Sequence, residues 1–141
     1  MKRFKYFLLM LSLVAVAFTG CDSSGEEELI VDENERIVGK WTVDSQTLFE
    51  VEVDGDGSWI SFDGCDGNSC SGTDYMASDQ SSGTFSYSFN ADKTKLILVD
   101  DDPDAGGNYS GEWTIDEFTN NTLIIWIDTG LFGITSITLK K

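Results

Sequence analysis

Between Thr84 and Asn90, Phe85, Tyr87 and Phe89 alternate with Ser86 and Ser88. A two-residue period of this kind fits an extended strand with one apolar and one polar face. The same reading extends along the chain. Arg36–Val43, Leu48–Val53, Ser58–Phe62, Thr73–Ala77, Lys95–Val99, Tyr109–Ile115, Thr122–Asp128 and Ile134–Lys140 are each short, β-branched or aromatic. Turn chemistry separates them at Asp44-Ser45, Asp54-Gly55-Asp56-Gly57, Asn90-Ala91-Asp92, Asp100–Gly107, Asn120-Asn121 and Thr129-Gly130. No 3.6-residue apolar period is sustained beyond residue 20. The spacing predicts an all-β fold, an antiparallel up-and-down β-barrel of about eight strands; a sandwich fits the strand count too. In Leu123-Ile124-Ile125-Trp126-Ile127 both faces are apolar, which predicts a part of the sheet covered on both sides.

The first twenty residues read differently. Lys2, Arg3 and Lys5 precede an uncharged run from Tyr6 to Phe18, the pattern of a secretory signal peptide. The run falls short of the roughly 20 apolar residues that span a bilayer. Phe18-Thr19-Gly20-Cys21 resembles the lipobox of bacterial lipoprotein precursors. By that resemblance, residues 1–20 are removed and Cys21 becomes an N-terminus carrying a diacylglyceryl thioether and an amide-linked acyl chain such as palmitate. Multiple chains anchor a protein stably where a single one does not. Residues 21–35 contain Glu26-Glu27-Glu28 and few apolar side chains and read as an acidic, flexible tether. This tract is similar to the surface-export signal of Bacteroidetes lipoproteins, whereas an Asp directly after the cysteine, here Asp22, retains enterobacterial lipoproteins in the inner membrane. The expectation is an outer-membrane, surface-exposed lipoprotein.

Residues 36–141 are long enough to form one domain with its own core. The chain carries 9 basic and 25 acidic residues and no histidine. Such a balance argues against nucleic acid, which needs Lys and Arg against phosphates. It also argues against electrostatic attachment to an anionic membrane, leaving the lipid on Cys21 as the membrane contact. Solubility, or life in salty surroundings, accounts for the acidity. Without histidine, the Ser-His-Asp and Cys-His nucleophiles and the usual zinc sites fall away. Cys65 and Cys70 remain in an oxidising compartment, separated by the turn-former Asp66-Gly67-Asn68-Ser69, and are expected to form a disulfide that staples a loop.

Ile37-Val38-Gly39-Lys40-Trp41 looks like the Gly-x-Trp motif that opens the first strand of lipocalins. The segment from Tyr109 through Gly111-Glu112-Trp113-Thr114-Ile115 to Ile125 is similar to the penultimate hairpin of lipocalin-like lipoproteins of Bacteroidetes. The resemblance implies a lipocalin-like barrel over residues 36–141, with Gly39 and Trp41 closing one end. It also implies a basic residue packed over that tryptophan, here Lys140 or Lys141. Its functional implication is a small apolar or aromatic ligand held without catalysis.

The residues expected to line such a ligand are Phe85, Tyr87, Phe89, Trp113 and Trp126 in the interior, with Trp59 and Phe62 near the stapled loop. Aromatics on strand faces serve equally as plain core. A filled barrel acting as a structural or interaction module of the envelope is therefore the alternative. No cofactor is required; calcium is the ion that Asp54-Gly55-Asp56-Gly57 and Asp100-Asp101-Asp102-Pro103-Asp104 could hold, although neither has EF-hand spacing. Carboxylates are too numerous for any pair to indicate glycoside hydrolysis, and the expectation is a non-enzyme.

Overall fold

The computed structural model describes residues 32–102 and 109–141. The expected signal peptide, Cys21, the expected tether up to residue 31, and Pro103 and Asp104 of the second acidic loop lie outside the described residues. A short helix, α1 (Glu33–Ile37), opens the described part. It is followed by β1 (Gly39–Leu48), β2 (Val51–Asp54), β3 (Trp59–Asp66), β4 (Ser69–Met76), β5 (Ser81–Phe89), β6 (Lys95–Asp100), β7 (Gly111–Phe118), β8 (Thr122–Asp128) and β9 (Ile134–Lys140). Every pairing is antiparallel, and β9 returns to β1, from Thr42↔Lys140 to Thr47↔Ser136. The sheet is thus a closed eight-stranded barrel with one additional strand.

The additional strand arises because β1 changes partner along one edge. Gly39–Thr42 pair with β3, whereas Ser45–Leu48 pair with β2. β2 and β3 therefore run in the same direction along the same edge, broken by a jog at Gly55–Ser58. Ser58 stitches the break together: its carbonyl accepts from Val43 N (2.9 Å) and its hydroxyl from Ala77 N (2.9 Å). A Cβ at Gly55 would meet the Val43 carbonyl oxygen at 1.9 Å, so only glycine lets the chain cross here.

Several expectations change. Asp44-Ser45 is not a turn; it lies within β1, where the register to β9 shifts between Val43 and Ser45 as a bulge. Leu48–Val53 is not one strand, because a two-residue turn at Phe49-Glu50 splits it. Arg36 and Ile37 belong to α1, whose N-cap Asp32 accepts from Asn34 N (2.9 Å); α1 also takes in the last residues assigned to the tether. The strand at Ile134–Lys140 has the boundaries expected of it. In β8, Leu123 and Ile125 are buried while Ile124 and Trp126 on the outer face are half-buried, short of a second covering layer.

Inward-facing residues fill the barrel: Trp41, Ile60, Phe62, Phe85, Leu96, Leu98, Leu123, Ile125 and Leu139 are all essentially inaccessible. Small barrels have room for little else. Gly72 faces Phe85 across β4 and β5, and a Cβ there would lie 2.4 Å from both the Phe85 ring and the Ser61 carbonyl oxygen. Gly72→Ala is expected to cost roughly 1–3 kcal/mol through overpacking, read as a lowered urea midpoint.

Candidate functional site

The end of the barrel where β1 begins is closed by a run of stacked rings and cations. Gly39 has φ of 120°, outside the range that L residues favour. A Cβ on it would meet Cε of Lys141 at 2.9 Å. The lysine crosses this gap: its Nζ lies 4.9 Å from the centroid of the Trp41 ring and donates to the Arg36 carbonyl (3.0 Å). The Trp41 indole N–H donates to the Ile37 carbonyl (2.6 Å). Phe118 lies 6.3 Å from Trp41 and 6.1 Å from Phe89, with the Arg36 guanidinium 5.4 Å above it. Of the two lysines the resemblance allowed, Lys141 packs on Trp41, while Lys140 bonds Thr122 Oγ1 (2.8 Å). Burial against these rings lowers the Lys141 pKa.

The same device recurs at β7, which starts at the opposite end of the barrel. Gly111 has φ of 146°, and the Trp113 indole N–H donates to the Tyr109 carbonyl (2.7 Å), again four residues back. Gly39-Lys40-Trp41-Thr42 and Gly111-Glu112-Trp113-Thr114 thus adopt one local structure at two ends, and each is followed by a bulge, at Val43/Ser45 and at Ile115/Glu117. The repeated Gly-x-Trp-Thr was the available sequence signal. Reading each copy only within its own strand missed it.

Beside the second plug lies a buried polar group. Tyr109 is almost wholly buried, with its hydroxyl 3.4 Å from Met76 Sδ. Ser58 and Asp74 are buried nearby, and Asp74 Oδ1 accepts from Gly83 N (2.9 Å). Burial, then the Asp74 and Asp56 charges, push the Tyr109 phenol up to about 12.

The aromatic residues expected to bind a ligand do not converge. Phe62, Phe85 and Tyr87 form one packed cluster, with centroid separations of 5.6, 5.0 and 6.4 Å. Trp113 is buried at its own plug, and Phe89 belongs to the closed end. Trp59 and Trp126 lie on the outer face of the barrel, alternating with the buried Ile60 and Ile125. Cys65 and Cys70 form the expected disulfide, stapling the β3–β4 hairpin.

The acidic loops act as turns where they are described. Asp56 Oδ1 accepts from Ser58 N (2.9 Å), and hydrogen bonds from Ser58 lower the Asp56 pKa. No group of three or more acidic or cysteine side chains is arranged to hold a metal among the described residues.

A different surface feature is not evident from the sequence alone. The Phe49-Glu50 turn and the β8–β9 connection stand side by side, because Thr47 pairs with Ser136. Phe49 and Phe132 make an edge-to-face contact at 6.2 Å. Both rings are 65% exposed, Leu131 is 100% exposed, and Val51 and Ile134 are 61% and 52% exposed. Phe49 and Glu50 have φ of 52° and 64°. Positive φ at both central positions is the geometry for which hairpins use Asn-Gly. Each non-glycine residue held there costs of the order of 1 kcal/mol.

The raised Tyr109 pKa has a consequence for stability. The folded chain holds this proton more tightly than the unfolded one, whose phenol titrates near 10.0. The associated stability is intact below pH 10.0 and is lost as pH rises toward about 12. Urea unfolding across this window is expected to show a falling midpoint, with a shallower fall in Tyr109→Phe. No protein-family model matches the chain, and comparison with curated proteins finds no relative.

Proposed function

We propose that this chain is a lipid-anchored protein of the outer envelope, attached through Cys21, whose filled barrel displays a docking surface for a partner protein. The observation that carries the reading is the apolar cluster of Phe49, Val51, Leu131, Phe132 and Ile134, left in solvent on two adjoining turns. Exposed apolar residues gathered on adjoining hairpins, two of them in ring contact, mark interaction sites, whereas scattered exposed leucines do not. The aromatics that a small ligand would need inside the barrel are instead packed against one another, and a tryptophan plugs each end.

Two further features favour a protein over a lipid surface. Glu50, Glu52 and Asp54 give the hairpin that carries Phe49 and Val51 a negative charge, which anionic headgroups would repel. Among the described residues β2 pairs only with β1, so backbone groups on its other edge are available to an extended segment. The fitting partner is apolar at its centre and basic at its rim. No catalytic step belongs to this reading.

A photo-crosslinking residue at Leu131, introduced in the native host, is expected to yield a discrete protein adduct that the same residue at Lys40 does not. Phe49→Ser and Phe132→Ser together should weaken the complex at least roughly tenfold. Folding stability should shift by only about 0.5 kcal/mol, as for exposed positions. Equal adducts from both positions would overturn the reading. Sedimentation of the unacylated chain with zwitterionic vesicles, lost in the same double variant, would replace the partner protein by a membrane.

A further inference from the structure

We infer that a concavity on the outer face of β3, β4 and β5 is a binding site for a neutral saccharide. It is an open depression of about 410 Å³ lined by Trp59, Thr73, Asp74, Ser82, Gly83, Thr84 and Asp102. The volume is within the range of small-molecule sites.

The strand register builds this site. Thr73 pairs with Thr84 and Tyr75 with Ser82 across β4 and β5, while Trp59 pairs with Tyr75 across β3 and β4. Since side chains alternate, Trp59, Thr73, Tyr75, Ser82 and Thr84 all emerge on the outside of the barrel. Gly83 stands between the two β5 hydroxyls, and its N–H donates inward to Asp74.

Trp59 is held in place rather than left to swing. Tyr75 stacks on it at 5.8 Å with an interplanar angle of 21°, and Lys40 Nζ lies 4.2 Å from its centroid. Tyr75 thus fixes the outer-face indole, which lowers the ordering cost of binding, and a ligand ring on its other face takes the place of the Lys40 ammonium. The hydroxyls beneath it are in the opposite condition. Those of Ser81, Thr94, Thr119 and Thr129 bond their own turns. Those of Thr73, Ser82 and Thr84 make no side-chain hydrogen bond among the described residues.

This combination selects the ligand by its chemistry. A saccharide ring has an apolar C–H face that packs on an indole and hydroxyls that both donate and accept. Thr73, Ser82 and Thr84 offer the same double capacity. A phosphorylated or carboxylated ligand would meet Asp102 and a chain of net charge −16. A purely apolar ligand would strip water from three hydroxyls without replacing their bonds. Neither objection applies to a neutral sugar.

The test is isothermal titration of the full chain in detergent with cellopentaose, maltopentaose, xylopentaose and chitopentaose. At least one is expected to bind and to perturb tryptophan fluorescence. Affinity should fall about tenfold or more in Trp59→Ala. It should also fall severalfold in Thr84→Val, an exposed change that preserves shape and keeps the test decisive if the tryptophan variant misfolds. Phe132→Ser, on the apolar cluster, should bind sugar normally, so this site and the docking surface stand or fall separately. Absence of binding by all four oligosaccharides, or binding unchanged in Thr84→Val, would overturn the assignment.

Discussion

The fold depends on an indole N–H that cannot be left unbonded once buried. Trp41 and Trp113 are the largest side chains in the interior, and each must find an acceptor without water. Both solve this by reaching four residues back along their own chain, to Ile37 and Tyr109. That return needs the backbone to double over between the acceptor and the tryptophan, and glycine at positive φ supplies the bend in both cases. The entry of β1 and the entry of β7 are therefore shaped by one requirement, at opposite ends of the barrel. The result is a cylinder shut at each end by its own strands.

Closure at the two ends is chemically unequal. Around Trp41 it is aromatic and cationic, with Lys141, Arg36 and Lys93 set over the rings of Trp41, Phe118 and Phe89. Contacts of this sort gain strength as water is excluded. Around Trp113 the closure is polar, with the indole N–H bonded locally to Tyr109. Ser58 there joins β1, β3 and β4 through its backbone and hydroxyl. The broken β2–β3 edge needs this repair, since the jog would otherwise leave buried backbone groups without partners.

Much of the fold was legible because barrel strands advertise themselves by alternation. Phe85, Tyr87 and Phe89 fall on one face of β5 as their spacing requires, and Ile134–Lys140 is a strand from end to end. Legibility failed where backbone conformation was set by tertiary pairing. Asp44-Ser45 has turn chemistry, yet β9 captures it as a bulge; Phe49-Glu50 lacks turn chemistry, yet the partner switch of β1 forces a reversal there. The candidate site was less legible still. Alternation identifies which residues share a face but does not say which face is inside. Trp59 and Phe62 were grouped by proximity in sequence, and the pleat sends them to opposite sides of the sheet.

The strained turn and the acidic strand beside it make sense as a pair. Holding Phe49 and Glu50 in the left-handed region sacrifices stability that Asn-Gly would keep. In return, Phe49 projects beyond the rim to meet Phe132. A protruding hairpin with exposed valines and an open edge would ordinarily recruit further copies of itself. Glu50, Glu52 and Asp54 oppose that, because two such edges would bring like charges together, and the net charge of −16 extends the repulsion to the whole molecule. Charge here governs only approach, since it is screened beyond about 10 Å at ordinary salt. The short-range features left at the surface are an apolar cluster at one end and an indole close to hydroxyls on the barrel wall. A plugged barrel keeps both rigid, because its interior has no space into which either surface could collapse.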